Sequence, residues 1–256
     1  MADQAVMVNP HGEAFEPPLL GTYSKKLGMW LFLLSDSLTF GALLYAYSYG
    51  RMSTPGWPTP FHAESIATAS IMTAFLLSSS LTMVLAVLAS QRGDQAWTRN
   101  WLLATMALGA GFVVLHGFEW AGLIKEGMTP VSNPWAPTVP QFGGTFFALT
   151  GMHMLHVTLG VAYLGVIALR RLWVPILLVL WLGTFLLTPS EGPGMVFHYG
   201  SHVLLVCAVI AAIIVWLKPK KYDANDVEVS GLYWHFVDLV WMFIFPLVYL
   251  MSTRIE

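Results

Sequence analysis

Four stretches of this chain, residues 65–91, 127–169, 172–190 and 192–217, contain no Asp, Glu, Lys or Arg. Runs of that length constrain the fold more than any other feature. About 20 apolar residues rising 1.5 Å each cross the roughly 30 Å hydrocarbon core of a bilayer. The 256 residues are 56% hydrophobic and 10% charged, against roughly 25% charged in an ordinary soluble domain. A soluble enzyme, a nucleic-acid binder and a disordered scaffold are thereby excluded. Lys plus Arg is 12 and Asp plus Glu is 14, with no basic block of the kind that tracks phosphates, so nucleic acid is not a partner. The single cysteine, Cys207, lies in an apolar run and reads as a packing residue. Met1 to Ser24 is polar, with Pro10, Pro17 and Pro18, and shows no cleavable signal peptide.

Charge gaps and turn residues together predict an all-α polytopic membrane protein of about seven transmembrane helices, at 27–50, 66–90, 101–124, 142–169, 172–189, 202–217 and 231–251. Continuous apolar runs are not the alternating segments of a membrane barrel, which leaves helices. The expected organisation is a polar N-terminal tail, 1–26, and a single membrane domain, 27–256. Cytoplasmic loops are enriched in Lys and Arg. An inside N-terminus puts nine cations inside (Lys25, Lys26, Arg92, Arg99, Arg170, Arg171, Lys218, Lys220 and Lys221) and three outside (Arg51, Lys125 and Arg254). The N-terminus is therefore expected to be cytoplasmic and the C-terminus outside. The proline-rich outer connections, with Trp57 and Trp135, read as ordered interfacial loops.

Three carboxylates, Asp36, Glu119 and Asp238, fall within the spans, as do His116, His153, His156 and His235. Ionisable groups in hydrocarbon are costly, so they face a bundle interior and pair with something; each is a functional candidate. Counting along the spans places Asp36, His156 and Asp238 in one band just inside the midplane, with His116 and Glu119 separately toward the outer side. The packing alternative is that these groups satisfy one another's hydrogen bonds and fix helix register. His116-x-x-Glu119 and His153-x-x-His156 have the spacing of residues on one helix face and raise the alternative of a membrane metalloenzyme. Against it stand the different depths of the two pairs and the shortage of carboxylates. His198 and His202, with Glu191 nearby, read as an interfacial anchoring region. A secondary transporter would call for an inverted repeat, and none is visible.

Four segments, in order, resemble subunit III of the haem-copper terminal oxidases. Gly28 to Asp36 (GMWLFLLSD) is similar to that family's "G-x-W-x-F-x-x-S-E/D" helix. Thr145 to Val157 (TFFALTGMHMLHV) resembles its "FF-x-x-TG-x-H-x-LHV" segment. Leu232 to Trp241 (LYWHFVDLVW) is close to its "YWHFVD-x-VW" last helix. Gly109 to Trp120, ending in Phe118-Glu119-Trp120, resembles the helix before the TG-x-H span.

The resemblance implies a non-catalytic subunit, without a redox centre of its own, of a proton-translocating cytochrome c or quinol oxidase. Haem and copper belong to subunit I, and copper to subunit II in a cytochrome c oxidase. It further implies a cleft between helix groups that binds phospholipid, support of proton uptake, and stabilisation of subunit I. Asp36 matches the family's buried carboxylate near that cleft. Glu119, His153, His156, His235 and Asp238 match its other polar positions. Expected partners are subunits I and II and phospholipid. Residues 172–217 are an inserted hairpin relative to five-helix members, and could contact lipid, an extra subunit or another respiratory complex. The expected location is a prokaryotic cytoplasmic membrane rather than the mitochondrial inner membrane. A subunit-III-like protein of a nitric oxide reductase is the neighbouring alternative.

Overall fold

The computed structural model describes residues 7–8, 14–15, 24–58, 60–61, 63–168, 182, 205–206, 209–210 and 222–252. The two spans expected at 172–189 and 202–217 lie outside the described residues, apart from the isolated positions just given. So do Cys207, Glu191, His198, His202 and the cations Arg170, Arg171, Lys218, Lys220, Lys221 and Arg254. A two-residue pairing of Met7–Val8 with Ala14–Phe15 precedes five long helices. These are α1 (Ser24–Ser53), α2 (Ala63–Gln91), α3 (Gln95–Lys125), α4 (Gln141–Ala168) and α5 (Ala224–Ile244). All five are long and apolar enough to cross a membrane.

Each described helix begins before the span read from charge gaps, because charge marks hydrocarbon and caps mark the backbone. Asp94 starts α3, six residues ahead of the expected position 101, by accepting from the amides of Ala96 and Trp97. Asp223 starts α5, seven residues ahead of the expected 231, by accepting from Asn225 N–H. The early turns of α5 carry Asp226 and Glu228, which pair with Lys25 (2.7 Å) and Lys26 (2.5 Å) of α1. The basic pair read as an orientation signal therefore also fastens the first helix to the last.

The helices alternate in direction. Helices α2 to α5 close a ring through the contacts α2–α3, α3–α4, α4–α5 and α2–α5, and α1 lies outside it, against α4 and α5. Between α2 and α3 the chain reverses in a tight turn at Gly93, whose φ of 76° favours glycine. At the Lys25 end Tyr222 ties three elements together: its N–H donates to Gln95 Oε1 (2.6 Å) and its hydroxyl to the Ala168 carbonyl (3.0 Å).

Helix α5 closes the ring between α2 and α4, and its indoles are seated by hydroxyls and glycines of the others. Trp234 Nε1–H donates to Ser79 Oγ and Trp241 Nε1–H to Thr73 Oγ1, both at 2.9 Å. Each hydroxyl in turn donates to a carbonyl of its own helix, Leu76 and Ala69 respectively. The Trp234 ring fits only because α3 and α4 offer glycine there. A Cβ at Gly109 would stand 2.3 Å from that ring and one at Gly160 2.9 Å from it.

Pro246 ends the regular part of α5. Lacking an N–H, it cannot continue the helical ladder, and Phe245–Tyr249 widens into a π turn followed by the 3₁₀ turn Leu250–Ser252. The Arg51 guanidinium of α1 reaches across to the carbonyls of Leu247 and Met251. Cationic groups at a helix C-terminus satisfy its last carbonyls.

Candidate functional site

The polar groups singled out from sequence lie in three places. The first is the seam between α1 and α4. His156 Nδ1 lies 2.8 Å from the Met152 carbonyl, and its Nε2 lies 3.2 Å from Asp36 Oδ1. A carbonyl only accepts, so Nδ1 carries a hydrogen. A carboxyl and an imidazole this close can offset one another, which is how two ionisable groups can share an apolar setting. Both side chains are about nine-tenths buried, and Asp36 Oδ2 has no partner among the described residues. Phe40 packs its ring edge against His156 at 5.1 Å, and the Tyr233 hydroxyl donates to the His156 carbonyl (2.9 Å).

The second place is inside the ring. His116 and His153 are fully buried, and none of their ring nitrogens has a hydrogen-bond partner among the described residues. Their walls are aromatic. His153 stacks on Trp241 (5.1 Å, 25°), His116 stacks on Phe112 (5.5 Å, 27°), and Phe112 also meets His153 edge-on (5.6 Å). One α3 turn on, Glu119 Oε2 accepts from the Tyr249 hydroxyl at 2.8 Å, while His116 Nδ1 is 3.9 Å away. The π turn delivers Tyr249 to this position. Glu119 also lines a cleft of about 330 Å³ between α2 and α3, with Glu64 and Glu126 among its other lining groups.

The third place faces α2. Ser80 Oγ lies 2.7 Å from His235 Nδ1 and also serves as a hydrogen-bonding neighbour of Asp238. Asp238 is buried, and its Oδ1 is unpartnered among the described residues.

The three residues expected in one inner band do not form one cluster: Asp36 and His156 meet, whereas Asp238 lies with Ser80 and His235 toward α2. His116 and His153 share the Phe112 and Trp241 walls. The four-ligand reading built on His116, Glu119, His153 and His156 also fails on geometry. Residues three apart on a helix point about 60° apart, enough to send His153 into the ring and His156 to α1. Among the described residues no group of three or more His, Cys, Asp or Glu could hold a metal ion. Sequence reasoning missed Tyr249, Ser80 and Phe40 as partners. Pro246 was the available signal that the last helix deforms near Tyr249.

A family model described as cytochrome c oxidase subunit III matches residues 20–176, more than half of the chain. The chain belongs to that family. It is similar along nearly its whole length to curated bacterial proteins. Cytochrome bo(3) ubiquinol oxidase subunit 3 of Pseudomonas putida is 28% identical over 227 residues, covering 89% of this chain and 86% of the relative. Cytochrome c oxidase subunit 3 of Bacillus subtilis is 29% identical over 230 residues, covering 90% and 87%. Quinol oxidase subunit 3 of the same organism is 29% identical over 229 residues, covering 88% and 86%. The chain is thus a subunit III of the terminal oxidases, a multi-pass membrane component of the respiratory chain. Its similarity does not favour the cytochrome c enzymes over the quinol enzymes.

Proposed function

We propose that this subunit III carries no redox step of its own and serves a prokaryotic terminal oxidase by stabilising subunit I, holding phospholipid and supporting proton uptake. The Asp36–His156 pair is the proton-bearing group of that role. The observation that carries the reading is the 3.2 Å contact between a carboxyl and an imidazole whose other nitrogen is already committed to a carbonyl. Such a pair can share one proton at no net charge, and takes up a second or loses the shared one only at the cost of a net charge in an apolar seam. It lies at the α1–α4 seam rather than in the closed ring, on the side where a lipid cleft between helix groups would place it. Glu119, His153, His235 and Asp238 support it by fixing the ring on which α1 rests. The N-terminus is cytoplasmic and the C-terminus outside, subunits I and II are the partners, and haem and copper reside with them.

The test is Asp36→Asn beside Asp36→Glu in the intact oxidase. Asparagine keeps the size of the acid beside His156 and cannot release a proton, whereas glutamate can. Asp36→Asn should slow proton uptake or shorten the enzyme's turnover lifetime several-fold with haem spectra unchanged, and Asp36→Glu should restore most of the loss. Uptake and lifetime equal to the parent enzyme in Asp36→Asn would remove the proposal.

A further inference from the structure

At the Lys25 end of the ring, the turn between α2 and α3 forms a cavity of about 380 Å³ whose lining includes Leu85, Leu88, Arg92, Asp94, Trp97 and Trp101. We propose that it binds the headgroup of an anionic phospholipid, with phosphatidylglycerol as its simplest representative. Three observations carry this. The Trp97 and Trp101 rings stack at 5.7 Å and 26°, with Trp97 55% exposed. Exposed indoles at a membrane interface sit at headgroup depth. Arg92 is exposed, and its guanidinium makes no hydrogen bond or ion pair with any described residue. Asp94 is the opposing charge, but its Oδ1 is held by the amides of Ala96 and Trp97 at the N-terminus of α3. The carboxylate is therefore offset by the helix end, and the guanidinium is, among the described residues, the unmatched charge that a phosphodiester would take up.

The groove beyond the cavity suits an acyl chain. Leu77, Leu81, Val84 and Leu88 are all exposed, between 41% and 62%. Their spacing of four, three and four places them on one face of α2, a stripe running from the cavity toward the middle of the helix. The site is distinct from the proposed proton-bearing pair, since α1 packs on α4 and α5 and the cavity belongs to α2 and α3. The proposed orientation puts the site in the cytoplasmic leaflet, but binding itself does not rest on that orientation.

The oxidase complex carrying this chain is reconstituted in phosphatidylcholine nanodiscs with trace diazirine-acyl phosphatidylglycerol, and crosslinks are mapped by mass spectrometry. Adducts should concentrate on the Leu77 to Leu88 stripe and on Trp97 and Trp101. Arg92→Gln should lower their yield roughly tenfold, the scale of one charge-assisted hydrogen bond, while Arg92→Lys keeps most of it. Asp36→Asn should leave the adducts unchanged. The proposal is overturned by equal yields from a phosphatidylcholine or phosphatidylethanolamine probe, by an unchanged yield in Arg92→Gln, or by adducts that fall on another oxidase subunit in place of the stripe.

Discussion

Single atoms explain why polar residues persist in so apolar a chain. Glu119 has one oxygen engaged by Tyr249 and one without a partner among the described residues. Tyr249→Phe would leave both unsatisfied, which destabilises a buried acceptor by about 1–3 kcal/mol. The expected outcome is a lower temperature of release of this subunit from the purified oxidase, with most of the loss absent when Glu119→Gln is added. If Tyr249→Phe is as stable as the parent, the contact contributes nothing. The buried acids and histidines were legible in the sequence, because the expense of an ionisable group in hydrocarbon singles them out one by one. Their partners were not, because a partner depends on which face of a distant helix is presented. The Asp36 and Asp238 carboxyls seemed alike in depth, yet one meets His156 of α4 and the other Ser80 of α2. Tyr249 was hidden for a further reason: regular helical periodicity does not describe a chain past Pro246.

The helices themselves were legible wherever their apolar runs were long, and their ends were not. Asp226 and Glu228 look like loop residues until Lys25 and Lys26 are seen opposite them. Those two surface pairs contribute modestly, about 0–1 kcal/mol each. Reversing charge on one side (Lys26→Glu) should therefore lower the release temperature only slightly, and Glu228→Lys added to it should recover the parent value. The seating of α5 matters more. A methyl at Gly109 would collide with Trp234 and with Val161, and overpacking of this kind costs about 1–3 kcal/mol. Gly109→Ala should accordingly weaken retention of the subunit in detergent, and Trp234→Phe, which removes the far ring atoms, should relieve part of the defect. Retention equal to the parent in Gly109→Ala would mean that α3 and α5 can slide apart without penalty. Nothing in the order of residues along α3 shows that an indole of a distant helix fills the space at Gly109.

At the scale of the whole molecule, the ring of α2 to α5 and the outlying α1 were not foreseeable from span counting, because alternation of direction permits many arrangements of neighbours. Orientation is the molecular property that charge counting addresses most directly. A fluorescent protein fused to the N-terminus should light up, and alkaline phosphatase fused after residue 256 should be active; the reverse pattern would reject the inside N-terminus. The place of α1 also bears on how the chain is made. Only 11% of its apolar stretch is buried within the chain, and the ties at its two ends, from Lys25 and Lys26 and from Arg51, all reach α5 or its continuation. Lys25 and Asp226 are 201 residues apart in sequence. At 5–20 residues per second, the ribosome therefore leaves the first helix without its fastening for on the order of 10 to 40 s. Until α4 supplies His156, α1 depends on the insertion machinery, on lipid or on a waiting subunit to keep its carboxyl from the hydrocarbon, and until α5 follows its two ends stay untied, so chains released in between are natural targets for membrane quality control.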